Sequence, residues 1–153
     1  MPTGWRIVNS RYAAQAFTGE GARINGGRWN SQGIKMIYTA ESNALAILEI
    51  LVHLNDSRLL SNYLIGAIHF DESQVTAVNT AALPRNWQAS PPPTELQLLG
   101  DEWARSGTSI ILRVPSAIVP TESNYLINPD HATYPTLKIE QPRPFYLDPR
   151  LIS

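Results

Sequence analysis

This chain contains no cysteine, so disulfides and thiolate metal sites are excluded, and its compartment is read as reducing or indifferent. Charge is scarce as well. Only 16% of the 153 residues are charged, and the net charge of −1 builds no global field that would recruit nucleic acid or a membrane surface. No apolar run approaches the ~18–20 residues that cross a bilayer, and residues 1–15 lack the apolar core of a signal peptide. A cytoplasmic protein without a membrane partner is the expectation. His53, His69 and His131 show no HExxH-like spacing, which together with the missing cysteine argues against zinc. Walker A and G-x-S-x-G sequences are missing too. By length the chain is about one domain, 1–153, able to bury roughly 70% of its unfolded surface.

Glycine, by contrast, is concentrated. Residues 19–38 (GEGARINGGRWNSQGIKMIY) contain Gly19, Gly21, Gly26, Gly27 and Gly33, five of the nine in the chain. A loop that only had to turn needs one or two, because each glycine adds an entropic cost on folding. Arg28 follows the Gly26-Gly27 pair, where backbone and guanidinium can both approach an anionic ligand. Trp29 beside it offers a flat face to a ring.

The element pattern is mixed. Gly4–Val8 reads as a strand, followed by a loop to Gly33 and a buried strand over Lys35–Ala40. Ser42 or Asn43 caps a helix through about Leu54. Asn62–Phe70 has the aromatic and β-branched content of a strand. Asn79–Pro93, with four prolines, reads as irregular surface. An amphipathic helix is expected over Thr94–Arg105, with Leu96, Leu99 and Trp103 near one face and Gly107 past its end. Thr108–Val114 reads as a strong strand bounded by Pro115, and the tail offers two short strands, Thr136–Glu140 and Pro144–Leu147. Strands outnumber helices, which suggests an α+β fold, a compact mixed or antiparallel sheet with a few helices on it.

Two polar residues stand out from apolar surroundings. The helix segment from Ala44 reads ALAILEILVHL, apolar except at Glu49 and His53. Either these two share a narrow exposed stripe four residues apart, or Glu49 faces a cleft and does chemistry. Ser116 lies just past a strand end between Pro115 and Pro120, where it either caps a turn or lines a site.

In order along the chain, Trp5-Arg6-Ile7, Gly21-Ala22-Arg23, Gly26-Gly27-Arg28-Trp29-Asn30, Ile37-Tyr38-Thr39-Ala40, Ala46-Ile47-Leu48-Glu49, Val52-His53, Val114-Pro115-Ser116-Ala117-Ile118 and Asn124-Tyr125-Leu126-Ile127-Asn128-Pro129 resemble the RES domain, a family named for its arginine, glutamate and serine. Pro144-Phe145-Tyr146-Leu147-Asp148-Pro149-Arg150-Leu151 is similar to its C-terminus. The resemblance implies a fold related to ADP-ribosyltransferases and the toxin of a type II toxin–antitoxin pair that depletes NAD. The partner it implies is an antitoxin with an Xre-like helix-turn-helix, so that DNA is met only through that antitoxin. It leaves room for a homodimer within the complex.

The implied first step is cleavage of the nicotinamide–ribose bond, with NAD as substrate and no separate cofactor or metal. Arg28, Tyr38, Glu49 and Ser116 are then the catalytic candidates. Gly27, Arg28, Trp29, Asn30, Tyr38 and Ser116 are candidates for holding NAD. Arg28 suits the pyrophosphate, since its planar fork pairs bidentately with phosphate oxygens. Glu49 supplies negative charge to a ribose that becomes oxocarbenium-like as neutral nicotinamide leaves. Tyr38 stacks on nicotinamide or positions it through its hydroxyl, and Ser116 donates a hydrogen bond that orients Arg28, Glu49 or the ligand. Transfer of ADP-ribose to a protein target is an alternative outcome of the same step. A non-catalytic nucleotide-binding or interaction module is an alternative of another class.

Overall fold

A computed structural model describes residues 1–53 and 62–152. Seven strands form one sheet: β1 (Thr3–Asn9), β2 (Ile37–Ala40), β3 (Tyr63–His69), β4 (Val75–Ala77), β5 (Ile111–Pro115), β6 (Ser123–Ile127) and β7 (Lys138–Phe145), in the order β4-β5-β6-β2-β1-β3-β7. Only the edge pair β4–β5 is parallel. Among the described residues three α-helices accompany it: α1 (Glu20–Asn25), α2 (Asn43–Leu51) and α3 (Thr94–Ser106). This is the expected α+β arrangement. Among the described residues no helix is long and apolar enough to cross a membrane.

The sheet buries both faces because its central strands alternate apolar residues to each side. On one face Leu112, Val114 and Leu126 pack with Trp29, Met36, Leu96 and Trp103. On the other, Ile111, Tyr125 and Ile127 pack with Ile37, Ile68 and Phe70, the Phe70 and Tyr125 rings meeting edge to face at 4.9 Å. A third cluster joins Ile7, Ala40, Tyr63 and Ile65 to Leu45 and Ala46 of α2.

β1 pairs with β3 at seven positions but with β2 at one described position, Trp5 opposite Ala40. The sheet therefore splits between β1 and β2. Residues of both strands along that split line a cavity.

Several elements depart from the expected pattern. The stretch read as a loop to Gly33 contains a 3₁₀ segment, Ser10–Gln15, and the helix α1. Gly19 (φ 77°) and Gly26 (φ 71°) bracket α1 in conformations that other residues adopt rarely, and an Arg23–Glu20 ion pair at 2.8 Å spans one turn inside it. Two of the glycines thus act as helix ends. The two tail strands are one strand, β7. Its Pro142 and Pro144 are tolerated because β7 is a sheet edge, where a missing N–H faces away from the ladder. β4 and β6 are additional strands. Ser42 caps α2, its hydroxyl accepting from the Leu45 N–H at 3.1 Å. Leu54, the expected helix end, lies outside the described residues. Gly107 ends α3 in the left-handed region as expected.

α3 fixes the loop after α1. Gly100 of α3 lies so close to Trp29 that a Cβ there would stand 1.7 Å from the Trp29 carbonyl oxygen. The buried carboxylate of Asp101 accepts from the Ser31 N–H at 2.9 Å, and Gln97 Nε2 donates to the Gly27 carbonyl at 3.0 Å. The segment 27–31 is thereby held from one side by a helix face.

Candidate functional site

The split leads into a cavity of about 800 Å³, within the range of small-molecule sites. β1 contributes Trp5 and Arg6 to its lining, β2 contributes Tyr38 and Ala40, and the glycine segment contributes Gly27 and Arg28. α2 adds Glu49 and β6 adds Asn124. A second depression of about 530 Å³, beside Lys35, Arg105 and His131, contains none of the candidate residues.

Glu49 faces the cavity. It is half-buried, its Oε2 accepting from the Ser116 hydroxyl at 3.0 Å and at short range from Asn124 Nδ2. Two neutral donors hold one oxygen of the carboxylate at the cavity wall. The exposed-stripe account holds only for His53, which is exposed at the rim. α2 is less enclosed than its apolar sequence suggests, since Leu48 and Val52 are exposed.

Ser116 is fully buried. Its hydroxyl accepts from the Ile118 and Val119 N–H groups, both at 3.1 Å, while donating to Glu49. The turn-capping reading is met. Ser116 does not line the cavity, so the expected contact with a ligand is not formed from this position, and of the partners expected for its hydroxyl it meets Glu49.

Arg28 is half-buried, with Nη1 donating to the carbonyls of Trp87 (2.9 Å) and Ala89 (2.8 Å). Burial lowers its pKa, while the Glu49 carboxylate opposes that shift. The proline-rich segment read as irregular surface thus forms a wall that grips this arginine. Gln88 extends the wall, its Nε2 donating to the Ala117 carbonyl at 3.0 Å.

Three expected ligand contacts are redirected inward. The Tyr38 hydroxyl donates to Asn30 Oδ1 at 2.5 Å and accepts from the Trp29 N–H at 3.0 Å, so it is committed to the loop, and the ring is what remains for a ligand. Burial raises its pKa above the ordinary tyrosine value. Asn30 is fully buried and away from the cavity lining, its Nδ2 donating to the carbonyls of Ala22, Ser31 and Ile34. Its amide is spent on the loop, away from the surface where a ligand contact was expected. Trp29 reaches the wall but is only 2% exposed within the core, so its face is not open to a ring. Gly27 lines the cavity, and the reason it is glycine lies behind it, where a Cβ would stand 2.6 Å from the Tyr38 hydroxyl.

Sequence reasoning nominated neither Arg6 nor Asn124 for the site. Asn124 holds Glu49 through Nδ2, and its Oδ1 is buried without a hydrogen-bond partner among the described residues. That acceptor is available to a hydroxyl or ammonia-type donor on a ligand. For Arg6 the signal is a charged residue inside a strand between Trp5 and Ile7, whereas Asn124, which follows Ser123 at the start of β6, gives no such signal.

Residues 3–148 match the RES domain. The chain is 44% identical over 148 residues to a protein named Toxin Res from Yersinia enterocolitica, covering 96% of this chain and 97% of that one. It is 39% identical over 153 residues to the Prs ADP-ribosylating toxin of Sphingobium sp., covering 97% and 95%. In three dimensions it resembles a chain in the crystal structure of the M. tuberculosis MbcT–MbcA toxin–antitoxin complex. The TM-score is 0.77 at 20% identity, with 99% of this chain and 86% of that chain covered, a likeness of fold.

Proposed function

The chain belongs to the RES-domain family, and on that premise we propose that its cavity cleaves the nicotinamide–ribose bond of NAD, as the enzymatic toxin of a toxin–antitoxin pair. One observation carries the chemistry. The Glu49 carboxylate is fixed at the cavity wall by Ser116 and Asn124, in a cavity that also receives Arg28.

Bond cleavage releases neutral nicotinamide with the bonding electron pair and leaves positive charge on the ribose C1′ and ring oxygen. A fixed carboxylate stabilises that charge more in the transition state than in the ground state, which is the condition for raising kcat. Because Ser116 and Asn124 already hold Glu49, no reorientation is needed when the charge develops. Arg28 pairs with pyrophosphate oxygens through the guanidinium edge that the Trp87 and Ala89 carbonyls leave free. The Tyr38 ring supplies an apolar face for nicotinamide. Water as acceptor gives ADP-ribose, and inorganic phosphate captured at the same carbon gives ADP-ribose 1″-phosphate.

The naming of the Sphingobium relative favours a second reading, in which a protein side chain accepts ADP-ribose after the same step. As a toxin the chain is neutralised by an antitoxin partner, which the family resemblance describes as Xre-like. Purified protein incubated with NAD, with and without phosphate, separates these acceptors: free ADP-ribose, a phosphorylated sugar and labelled protein are distinct products. Nicotinamide release is expected from the wild type and abolished in Arg28→Ala and Glu49→Gln. Wild-type turnover in Glu49→Gln overturns the charge role given to Glu49.

A further inference from the structure

The depression of about 530 Å³ is separate from the cavity of the proposed chemistry, and the two share no lining residue. It forms where the end of α3 meets the loop before β2 and the turn after β6. Its volume is in the range of small-molecule sites. A helix end ordinarily presents bare carbonyl oxygens, which disfavour an anion. Here two of them are already taken. Asn128 is buried, its Nδ2 donating to the Ala104 carbonyl at 3.0 Å and its Oδ1 accepting from the Asp130 N–H at 3.0 Å. His131 donates from Nε2 to the Gly107 carbonyl at 3.1 Å. Its Nδ1 accepts from the Thr133 N–H at 3.1 Å and from the Thr133 hydroxyl at 2.9 Å. With its ring nitrogens engaged in this way the imidazole is neutral.

The polar groups left unspent in the lining are cationic. Lys35 is half-buried, and its Nζ stands 3.9 Å from Glu20 and 3.7 Å from Asp130, too far for a hydrogen bond to either. Glu20 is itself held by Arg23 at 2.8 Å. The Arg105 guanidinium has no hydrogen bond or ion pair among the described residues. Against these two charges the lining includes one carboxylate, that of the exposed Asp130. Ile34, Ala104 and Ala132 supply apolar surface. We infer that this depression is a second ligand site, for a small organic anion. Its phosphate or carboxylate group is held by Lys35 and Arg105, and its apolar body rests on Ile34, Ala104 and Ala132.

The site also backs onto the loop that carries Arg28. The Ile34 carbonyl accepts from Asn30 Nδ2 at 3.0 Å, and Asn30 Oδ1 accepts from the Tyr38 hydroxyl at 2.5 Å. An occupant touching Ile34 therefore presses on a residue held by the same amide that holds Tyr38.

The test titrates the whole protein at constant ionic strength with phenyl phosphate, benzoate and uncharged benzyl alcohol, reading amide resonances residue by residue. The two anions are expected to shift Gly33, Lys35, Arg105, Gly107 and His131 to saturation, and the alcohol to leave them in place. Lys35→Met and Arg105→Met each weaken phenyl phosphate about 3- to 10-fold, the size of one partly exposed charge-assisted contact. Asp130→Asn removes the competing carboxylate and tightens binding about 2- to 5-fold. A lysine and an arginine that serve only the fold would change Tm in their variants and leave these affinities alone, which overturns the inference. Equal shifts with benzyl alcohol overturn it too, as do shifts confined to Arg28, Tyr38 and their neighbours in the other cavity. If Lys35→Met fails to fold, Arg105→Met at the exposed helix end and Asp130→Asn decide between the same outcomes. None of these readouts involves NAD, so the site stands or falls apart from the chemistry proposed for the cavity.

Discussion

Replacing Tyr38 by phenylalanine removes one oxygen, and two hydrogen bonds go with it. The Trp29 N–H and Asn30 Oδ1 lose their shared partner inside a packed loop. Tyr38→Phe is expected to destabilise the protein by about 1–3 kcal/mol, the cost of leaving such groups unmet, measured by urea unfolding. A pH dependence follows from the same hydroxyl. Burial raises its pKa in the folded state, so the folded chain keeps a proton that the unfolded chain releases near about pH 10. The associated stability is complete below that pH and is lost as pH rises toward the folded value. The alkaline loss of stability is therefore shallower in Tyr38→Phe than in wild type. Tyr125 and Tyr134, whose values burial also raises, retain their share in both proteins.

At the scale of elements, the turn after β5 and the helix α3 line the cavity through Ala117 and Gln97 and also act on it from behind, through Ser116 and Gly100. Ser116 ties the backbone of its own turn to Glu49 of α2. Ser116→Ala leaves the carboxylate with Asn124 alone, and kcat for nicotinamide release is expected to fall about 10- to 100-fold with KM little changed, since small misplacement of a charge acts on the transition state. Steady-state kinetics on NAD separate the two parameters. Gly100→Ala sets a Cβ against the Trp29 carbonyl, and because backbone rather than a flexible side chain must yield, the cost is expected at about 3 kcal/mol. Thermal unfolding checks this, and turnover falls with it because segment 27–31 carries Arg28.

How far these elements can be read from the residues depends on what decides them. α3 and β5 are decided locally, by spacing, a terminal glycine and an apolar run, and both form close to where the sequence puts them. α1 is not, because Gly19 and Gly26 look like loop residues until their backbone angles are known. β6 begins with Ser123 and Asn124, which are poor strand residues, and its pairing with β2 and β5 overrides that preference. At the site, Arg28 and Glu49 were legible because each is a charge in a place that packing does not explain. The hidden part is directional. Nothing in the spacing says that Asn30 and the Tyr38 hydroxyl face each other, or that Arg6 lies in a gap.

For the molecule as a whole, a ligand that binds only the folded state adds to its stability by mass action. ADP-ribose at a hundred times its dissociation constant adds about 2.7 kcal/mol, which for a domain of this size is a rise of roughly 5–10 °C in Tm. Differential scanning fluorimetry on wild type and Arg28→Ala checks the expectation: the rise is large in the first and much reduced in the second.

The parting of β1 from β2 has one more consequence. A sheet is stiff along its ladders and loose where a ladder is interrupted, so amide exchange through small local openings is expected to be fastest at this seam. A molecule in the cavity touches residues of both strands and bridges the seam. Occupancy is then visible as slowed deuterium uptake at both lips of the gap, even for a compound that is never turned over.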